Sequence, residues 1–364
     1  MKYTALLTLA LGLCHLGFAQ EDSTQVEEEF DFSDFVLTEA PAKSFCNNKV
    51  LGQSPTALIS VYYDFQSQNT LSPGPINQNP AFQEEEATIN ANHGFGILGN
   101  FPVLSRNNIL INIGVEYSEQ YYAFDDGAYS NPLTRNLQAS PLRRTAVTAT
   151  VFKPLNEKRF LLGFVGGSLN GDYDFGQYDF SKTRVPIAAI YGFKPSDNLM
   201  WGIGGVRTYL GGALNYLPVV YYYHTFKNPK WGVEAVVPSR VAVRYRANSK
   251  TILNGGFTLT GASYHLSRFR DFEAEYYAEN GQEYDDTLED NVELRRSELR
   301  VGVGMQRALS DFIWMNLQAG ARLNWSYNTD EGDFFRGFDR EGYYMENELS
   351  TPLFVRLYIS FVSP

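Results

Sequence analysis

The sequence predicts an all-β fold, a transmembrane antiparallel up-and-down β-barrel of about 14 strands with 12 as the alternative count. Three observations predict it. A secretory leader opens the chain, short segments of alternating apolar and polar residues follow it, and the gaps between those segments alternate between tight turns and long loops. Beyond the leader no apolar run approaches the roughly 20 residues that a membrane-spanning helix needs. With 26 Phe, 24 Tyr and 31 Gly, the composition suits either a soluble sandwich or a membrane barrel, and the spacing decides for the barrel.

Residues 1–19 read as a signal peptide, with Lys2 as the basic start, an apolar run from Ala5 to Leu13, and small Gly17 and Ala19 before a cut at Gln20. Cys14 invites a lipoprotein reading, but Leu13 precedes it where a small residue is expected. The mature chain then holds one cysteine, Cys46, so no intramolecular disulfide is expected and the thiol reads as a small apolar filler. Residues 20–52 read as an acidic periplasmic tail or plug. Eight acidic residues and no basic one lie between Gln20 and Ala42, and Phe30, Phe32 and Phe35 interleave with the acids as candidate anchors inside a lumen of opposite charge.

Residues 53–364 are assigned to an outer-membrane barrel. The candidate strands are 55–66, 87–100, 108–124, 142–154, 159–172, 183–193, 198–209, 215–226, 230–237, 240–248, 251–265, 293–308, 312–327 and 351–362. Most approach the ~9–11 residues that cross a bilayer at a tilt. In the thirteenth, Ile313, Met315, Leu317, Ala319, Ala321, Leu323 and Trp325 share one face, opposite Asn316, Gln318, Gly320, Arg322 and Asn324. A polar face repeated in so many strands implies a wet lumen rather than a second packed sheet.

Even-numbered gaps hold turn chemistry, such as Asn156-Glu157, Asn228-Pro229 and Asn248-Ser249, whereas most odd ones are long: 67–86, 125–141, 173–182, 266–292 and 328–350. Short turns belong to the periplasmic side of outer-membrane barrels, so an even strand count puts both termini in the periplasm. The odd gaps at 211–215 and 238–239 are short, which predicts a low rim on one side. Tyr62, Tyr117, Trp201, Tyr223, Trp231 and Trp325 are candidate girdle aromatics. The last strand places Leu353, Val355, Leu357, Ile359 and Phe361 on one face, similar to the C-terminal signal read by barrel-insertion machinery, with Val362, Ser363 and Pro364 beyond it. Outer-membrane lipid, lipopolysaccharide and that machinery are the expected partners.

Charge is unevenly placed. The chain carries -11, yet the tail and the two long acidic loops at 266–292 and 328–350 together carry about -20, leaving about +8 for the rest of the mature chain. Alternation sends Arg240, Arg244, Arg246, Arg300, Arg322 and Arg356 inward, together with Asp64, Glu116 and Glu298. This lumen charge network has two readings: paired charges that fill a barrel, or an anion-preferring constriction or substrate cradle, since rings of Arg favour anions.

Acidic clusters at Asp285, Asp286, Glu289, Asp290 and at Asp330, Glu331, Asp333 are oxygen-rich, but neither follows the spacing of a calcium loop, and solvated surface charge, or divalent bridging to anionic lipopolysaccharide, is the expectation. Three histidines follow the leader. His93 shares a face with Ile89, Phe95 and Ile97, His224 is read as inward, and His265 lies near the outer rim; none is tied to a serine or carboxylate by a motif. No cofactor, metal centre, phosphate loop or nucleic-acid module is expected.

The stretch from Tyr216 to Leu266, with Leu217-Pro218, the turn before Trp231, Pro238-Ser239-Arg240, Arg244-Tyr245 and Gly261 to Tyr264, resembles a Bacteroidota outer-membrane β-barrel family, domain-of-unknown-function family 6268. The leader ending in Phe18-Ala19-Gln20 is similar to export signals of those bacteria. The resemblance implies a barrel and supplies no activity or site residues. The expected function is a channel or uptake barrel for small, anionic or lipidic solutes. The alternatives are a structural or assembly barrel without transport, or a lipid-modifying outer-membrane enzyme.

Overall fold

In hydrocarbon an unpaired backbone N–H or C=O costs several kcal/mol, and a sheet escapes that cost only by closing on itself. The computed structural model describes residues 45–79, 85–174, 179–209, 214–285, 287–288, 290–331 and 343–363, so Phe30, Phe32 and Phe35 lie outside the described residues. In chain order the strands are β1 (Ala57–Gln66), β2 (Asn69–Pro73), β3 (Ala87–Arg106), β4 (Ile109–Phe124), β5 (Leu142–Pro154), β6 (Arg159–Gly171), β7 (Ile187–Ser196) and β8 (Leu199–Thr208). They continue as β9 (Asn215–Thr225), β10 (Trp231–Val237), β11 (Arg240–Asn248), β12 (Thr251–His265), β13 (Val292–Ala308), β14 (Ile313–Glu331), β15 (Asn347–Leu349) and β16 (Leu353–Val362). All but the short β2 and β15 form the wall. Its fourteen strands pair antiparallel with their neighbours, and β1 closes the ring between β16 and β3.

Every wall strand carries large apolar side chains exposed on the outer surface, from Val61 in β1 through Ile203 in β8 to Leu357 in β16, as a lipid-facing band requires. The opposite phase points inward. Tyr62 and Tyr223 belong to that phase rather than to a girdle: Tyr62 is in step with Ser60 and Asp64, and its ring lies over the bare Gly96 of β3. Trp201, Trp231 and Trp325 remain outside. Two histidine expectations are also corrected. His224 faces outward with Val220 and Tyr222, meeting the Tyr222 hydroxyl at 2.9 Å, while Tyr223 and Thr225 are the buried, inward residues. A bulge between Ile89 and Ala91 turns Ile89 into the interior core and leaves Phe95 and Ile97 outside.

The low rim is present at the long-loop end. β7 pairs with β6 only up to Ile187 opposite Val165, and β11 with β12 only up to Arg240 opposite Thr258. Above that level β6 and β12 meet directly at Gly171 and His265, joined by Asn170 Nδ2 donating to the Ser263 carbonyl at 3.1 Å and by the Arg184–Glu293 ion pair. On the far side β2 and β15 continue the wall above β1 and β16. The long strands thus re-close as a narrower ring, filled by a core that includes Leu71, Ile76, Leu133, Leu137, Phe269, Leu294 and Tyr327. Two helices contribute to it, α1 (Pro132–Ala139) and α2 (Phe269–Glu279).

At the short-turn end Asn156, Asn228 and Asn248 each accept the N–H of the lysine two residues on, at 2.9, 3.1 and 2.9 Å. Inside that end an extended strap, residues 45–56, lines the inner face of β5–β11. Its N–H groups donate from Cys46 to the Asn156 carbonyl, from Leu51 to the Asp197 carbonyl and from Ser54 to the Glu234 carboxylate. Cys46 and Val50 complete a second core with Phe152, Phe160, Met200 and Tyr223.

Candidate functional site: a polar chamber in the barrel

Between the strap and the core that fills the narrower upper ring, the cap core, lies a cavity of about 1010 Å³. Its floor is strap residues 53–56 with Ala57 at the foot of β1, its roof is Tyr264 with Arg296, and its walls come mainly from β1, β3, β4, β10–β14 and β16. Neutral polar side chains dominate between the charged groups, among them Asn254, Thr258, Thr260, Gln306, Asn316 and Gln318. Small inward residues at Ala242, Gly256 and Gly302 sit side by side across β11, β12 and β13 and hold that wall back from the centre.

The sequence-derived charge residues fall into three groups. Five of them meet in one network on β1, β13, β14 and β16. Asp64 accepts from Arg300 at 2.8 Å and Arg356 at 2.7 Å, and Glu298 accepts from Arg300 at 2.8 Å and lies 2.6 Å from Arg322. Arg296 adds a longer contact to Glu298 at 3.7 Å, and Arg322 donates to Gln66. Bidentate guanidinium geometry allows each of these cations to serve two acceptors at once. Arg356 also lies over the Tyr62 ring at 4.9 Å.

Glu116 stands apart on β4, where its partner is Arg144 at 3.2 Å. The third group is the β11 ladder. Arg244 is fully buried and pairs with Glu234 at 3.0 Å, and its guanidinium packs against Gly52 of the strap and Gly232 of β10. Gly52 sits at φ 71°, a left-handed conformation that glycine adopts without strain, and a Cβ there would come within 3.3 Å of Arg244. Arg246 donates to the Gly52 carbonyl at 3.0 Å, so it holds the strap rather than facing open water. Arg240 is exposed in the chamber and forms no ion pair among the described residues, its contact being the Tyr223 hydroxyl at 2.5 Å.

Sequence reasoning missed Arg144, Glu234 and Arg296. Arg143-Arg144 and Arg295-Arg296 are adjacent pairs, and alternation cannot say which member faces in without a fixed register. The structure sends Arg144 to Glu116 inside and Arg143 to Glu119, and sends Arg296 toward the chamber with Arg295 paired to Asp330 at 2.5 Å. Glu234 was legible, since it alternates with Trp231, Val233 and Val237 on a seven-residue strand.

Several carboxylates of the long acidic loops have partners among the described residues. Glu331 pairs with Arg270 at 2.7 Å, Asp285 accepts from Thr287, and Asp290 lies 3.9 Å from His265. Partial burial pushes the Asp290 carboxyl up from its ordinary value. Among the described residues no group of three His, Cys, Asp or Glu side chains is placed to hold a metal ion.

A profile of a domain of unknown function, DUF6268, matches residues 88–313, a stretch that contains the whole region from Tyr216 to Leu266. No curated protein matches the chain. Among solved structures, an outer membrane channel from Pseudomonas putida F1 is similar at 12% identity over 85% of this chain and 97% of its own, with a TM-score of 0.36. A Pseudomonas aeruginosa FadL homologue is similar at 8% identity over 84% and 90%, with a TM-score of 0.38. LpxR from Salmonella typhimurium is similar at 8% over 84% and 100%, with a TM-score of 0.32. At such values no residue role passes from those proteins to this one.

Proposed function

This chain belongs to the DUF6268 family, and from that premise we propose that it is an outer-membrane barrel for the passage or uptake of small polar solutes, closed at rest by its own strap. The observation that carries the reading is the polar chamber of about 1010 Å³ held between strap and cap. Barrels of this strand number lie between those filled by side chains and those with open channels, and here one core fills the long-loop end, a second packs the strap against β5–β9 at the short-turn end, and a polar chamber lies between them. The apolar outer band and the closed wall support an outer-membrane setting with lipid around the strands. A lining rich in Asn, Gln and Thr favours a polar solute over a lipidic one, because a buried amide facing an alkyl chain loses its hydrogen bonds.

The lipid-modifying alternative has less support. His93 stacks on Tyr121, His224 meets Tyr222 and His265 lies near Asp290, three separate places outside the chamber.

Planar-bilayer recording of the purified full chain beside a variant lacking residues 45–54 tests the reading. The deletion is expected to raise conductance by at least severalfold, since the strap is the floor of the chamber. If both proteins are folded and both stay silent, passage gives way to the structural role.

A further inference from the structure

We propose that Arg240 makes the chamber a binding site for a small organic anion, a molecule with one carboxylate or phosphate group on a hydroxyl-rich neutral body. This rests on reading the chamber as a solute site and names the class of solute. Among the described residues the inward network holds four carboxylates, Asp64, Glu116, Glu234 and Glu298, against eight guanidinium groups, at positions 144, 240, 244, 246, 296, 300, 322 and 356, while Glu119, also at the chamber wall, is balanced by Arg143. The excess is four positive charges, enclosed by a low-dielectric wall that strengthens their pull on an anion.

Most of that excess is already committed. Arg296, Arg300, Arg322 and Arg356 share Asp64 and Glu298, and Arg246 is spent on strap carbonyls. Arg144 and Arg244 each have a carboxylate of their own. Arg240 is the chamber arginine that forms no ion pair among the described residues; Glu234, which pairs with Arg244, acts on it only at longer range, and its side chain is exposed where it lines the chamber. The Tyr223 hydroxyl engages Nη2 and fixes the direction of the guanidinium, leaving donors on its other edge. Thr258, opposite Arg240 in the β11–β12 ladder, lines the same cavity, as do Asn254 and Thr260 from the same strand. A guanidinium fork beside neutral hydroxyls and amides suits an oxyanion attached to a polyol.

The test uses the full chain in detergent micelles and three matched probes titrated calorimetrically: glucose 6-phosphate, gluconate and glucose. Binding of either anion at least tenfold tighter than glucose is expected, with Arg240→Gln abolishing that difference, as loss of one charge-assisted contact implies. Arg240→Lys is expected to retain part of the preference, and Arg307→Gln, at the short-turn end of β13, all of it. The two anion arms show whether carboxylate or phosphate is the group recognised. Equal binding of glucose and the anions, or an anion preference that survives Arg240→Gln in a folded barrel, overturns the assignment while leaving a polar-solute chamber in place. Binding of none of the three overturns both.

Discussion

Glu298 is the residue on which the inner charge network converges. Its carboxylate is buried, touches Arg300 and Arg322 within 2.8 Å, and has Arg296 at 3.7 Å. Removing the charge leaves buried guanidinium groups without a counter-ion, a loss of about 3–5 kcal/mol for a buried pair broken on one side. Glu298→Gln should therefore lower barrel stability by about that amount in reversible urea unfolding from vesicles. Glu116→Gln breaks a pair whose two side chains are each partly exposed, at 28% and 31%, and should cost only about 0–1 kcal/mol. Similar losses at the two sites would mean that Glu298 is solvated in the membrane. Alternation made these carboxylates and six of the arginines legible in the sequence, because a β-strand has two faces and a lipid-facing one excludes charge. It did not reveal which partners pair, since that depends on stagger between strands more than two hundred residues apart, as with Asp64 and Arg300.

At the scale of elements the wall was legible and its contents were not. All fourteen wall strands overlap their sequence-based spans, most of them to within a few residues, because each must satisfy the same rule of apolar outside and polar inside over a bilayer's width. β2 and β15 are only five and three residues long, too short for a period to show. Helix α1 carries a readable start, Asn131 accepting the Leu133 N–H at 3.0 Å before Pro132 at the first helical position, but it spans two turns inside what otherwise reads as a loop. The strap has no period at all. Its apolar residues Cys46 and Val50 are single anchors, meaningful only against Phe160 and Met200 of the wall. Val50→Asp puts a carboxylate into that core without a partner, at a cost that favours releasing the strap over burying the charge. Limited proteolysis should then cut between residues 45 and 54 in Val50→Asp and leave the native strap intact, with the barrel itself resistant in both. Equal protection of the two would show that the strap is held by its backbone bonds and Arg246 rather than by its apolar anchors.

For the whole molecule, the strap and the asymmetric ends together give a sense of direction. The described chain enters at Phe45 beside the Asn156 turn, crosses the floor, and climbs the wall in β1, and after an even number of wall strands β16 returns to the same end. That end has tight Asn-capped turns, whereas the other carries the two helices and the cap core. A barrel inserted from the periplasm moves its long loops across the bilayer and keeps its short turns behind. The strap floor would then face the periplasm and the cap the exterior, so a solute from outside would meet the cap first and leave by displacing the strap. Single cysteines test the direction, with native Cys46 as an internal standard because it is buried in the strap's own core. Lys227→Cys in the β9–β10 turn and Gln282→Cys after α2 are both exposed positions. In intact cells a membrane-impermeant maleimide should label Gln282→Cys, reach Lys227→Cys only after the outer membrane is permeabilised, and leave Cys46 unreacted in both. Labelling of Lys227→Cys alone in intact cells would invert the barrel, and the cap would then be the gate that faces the cell.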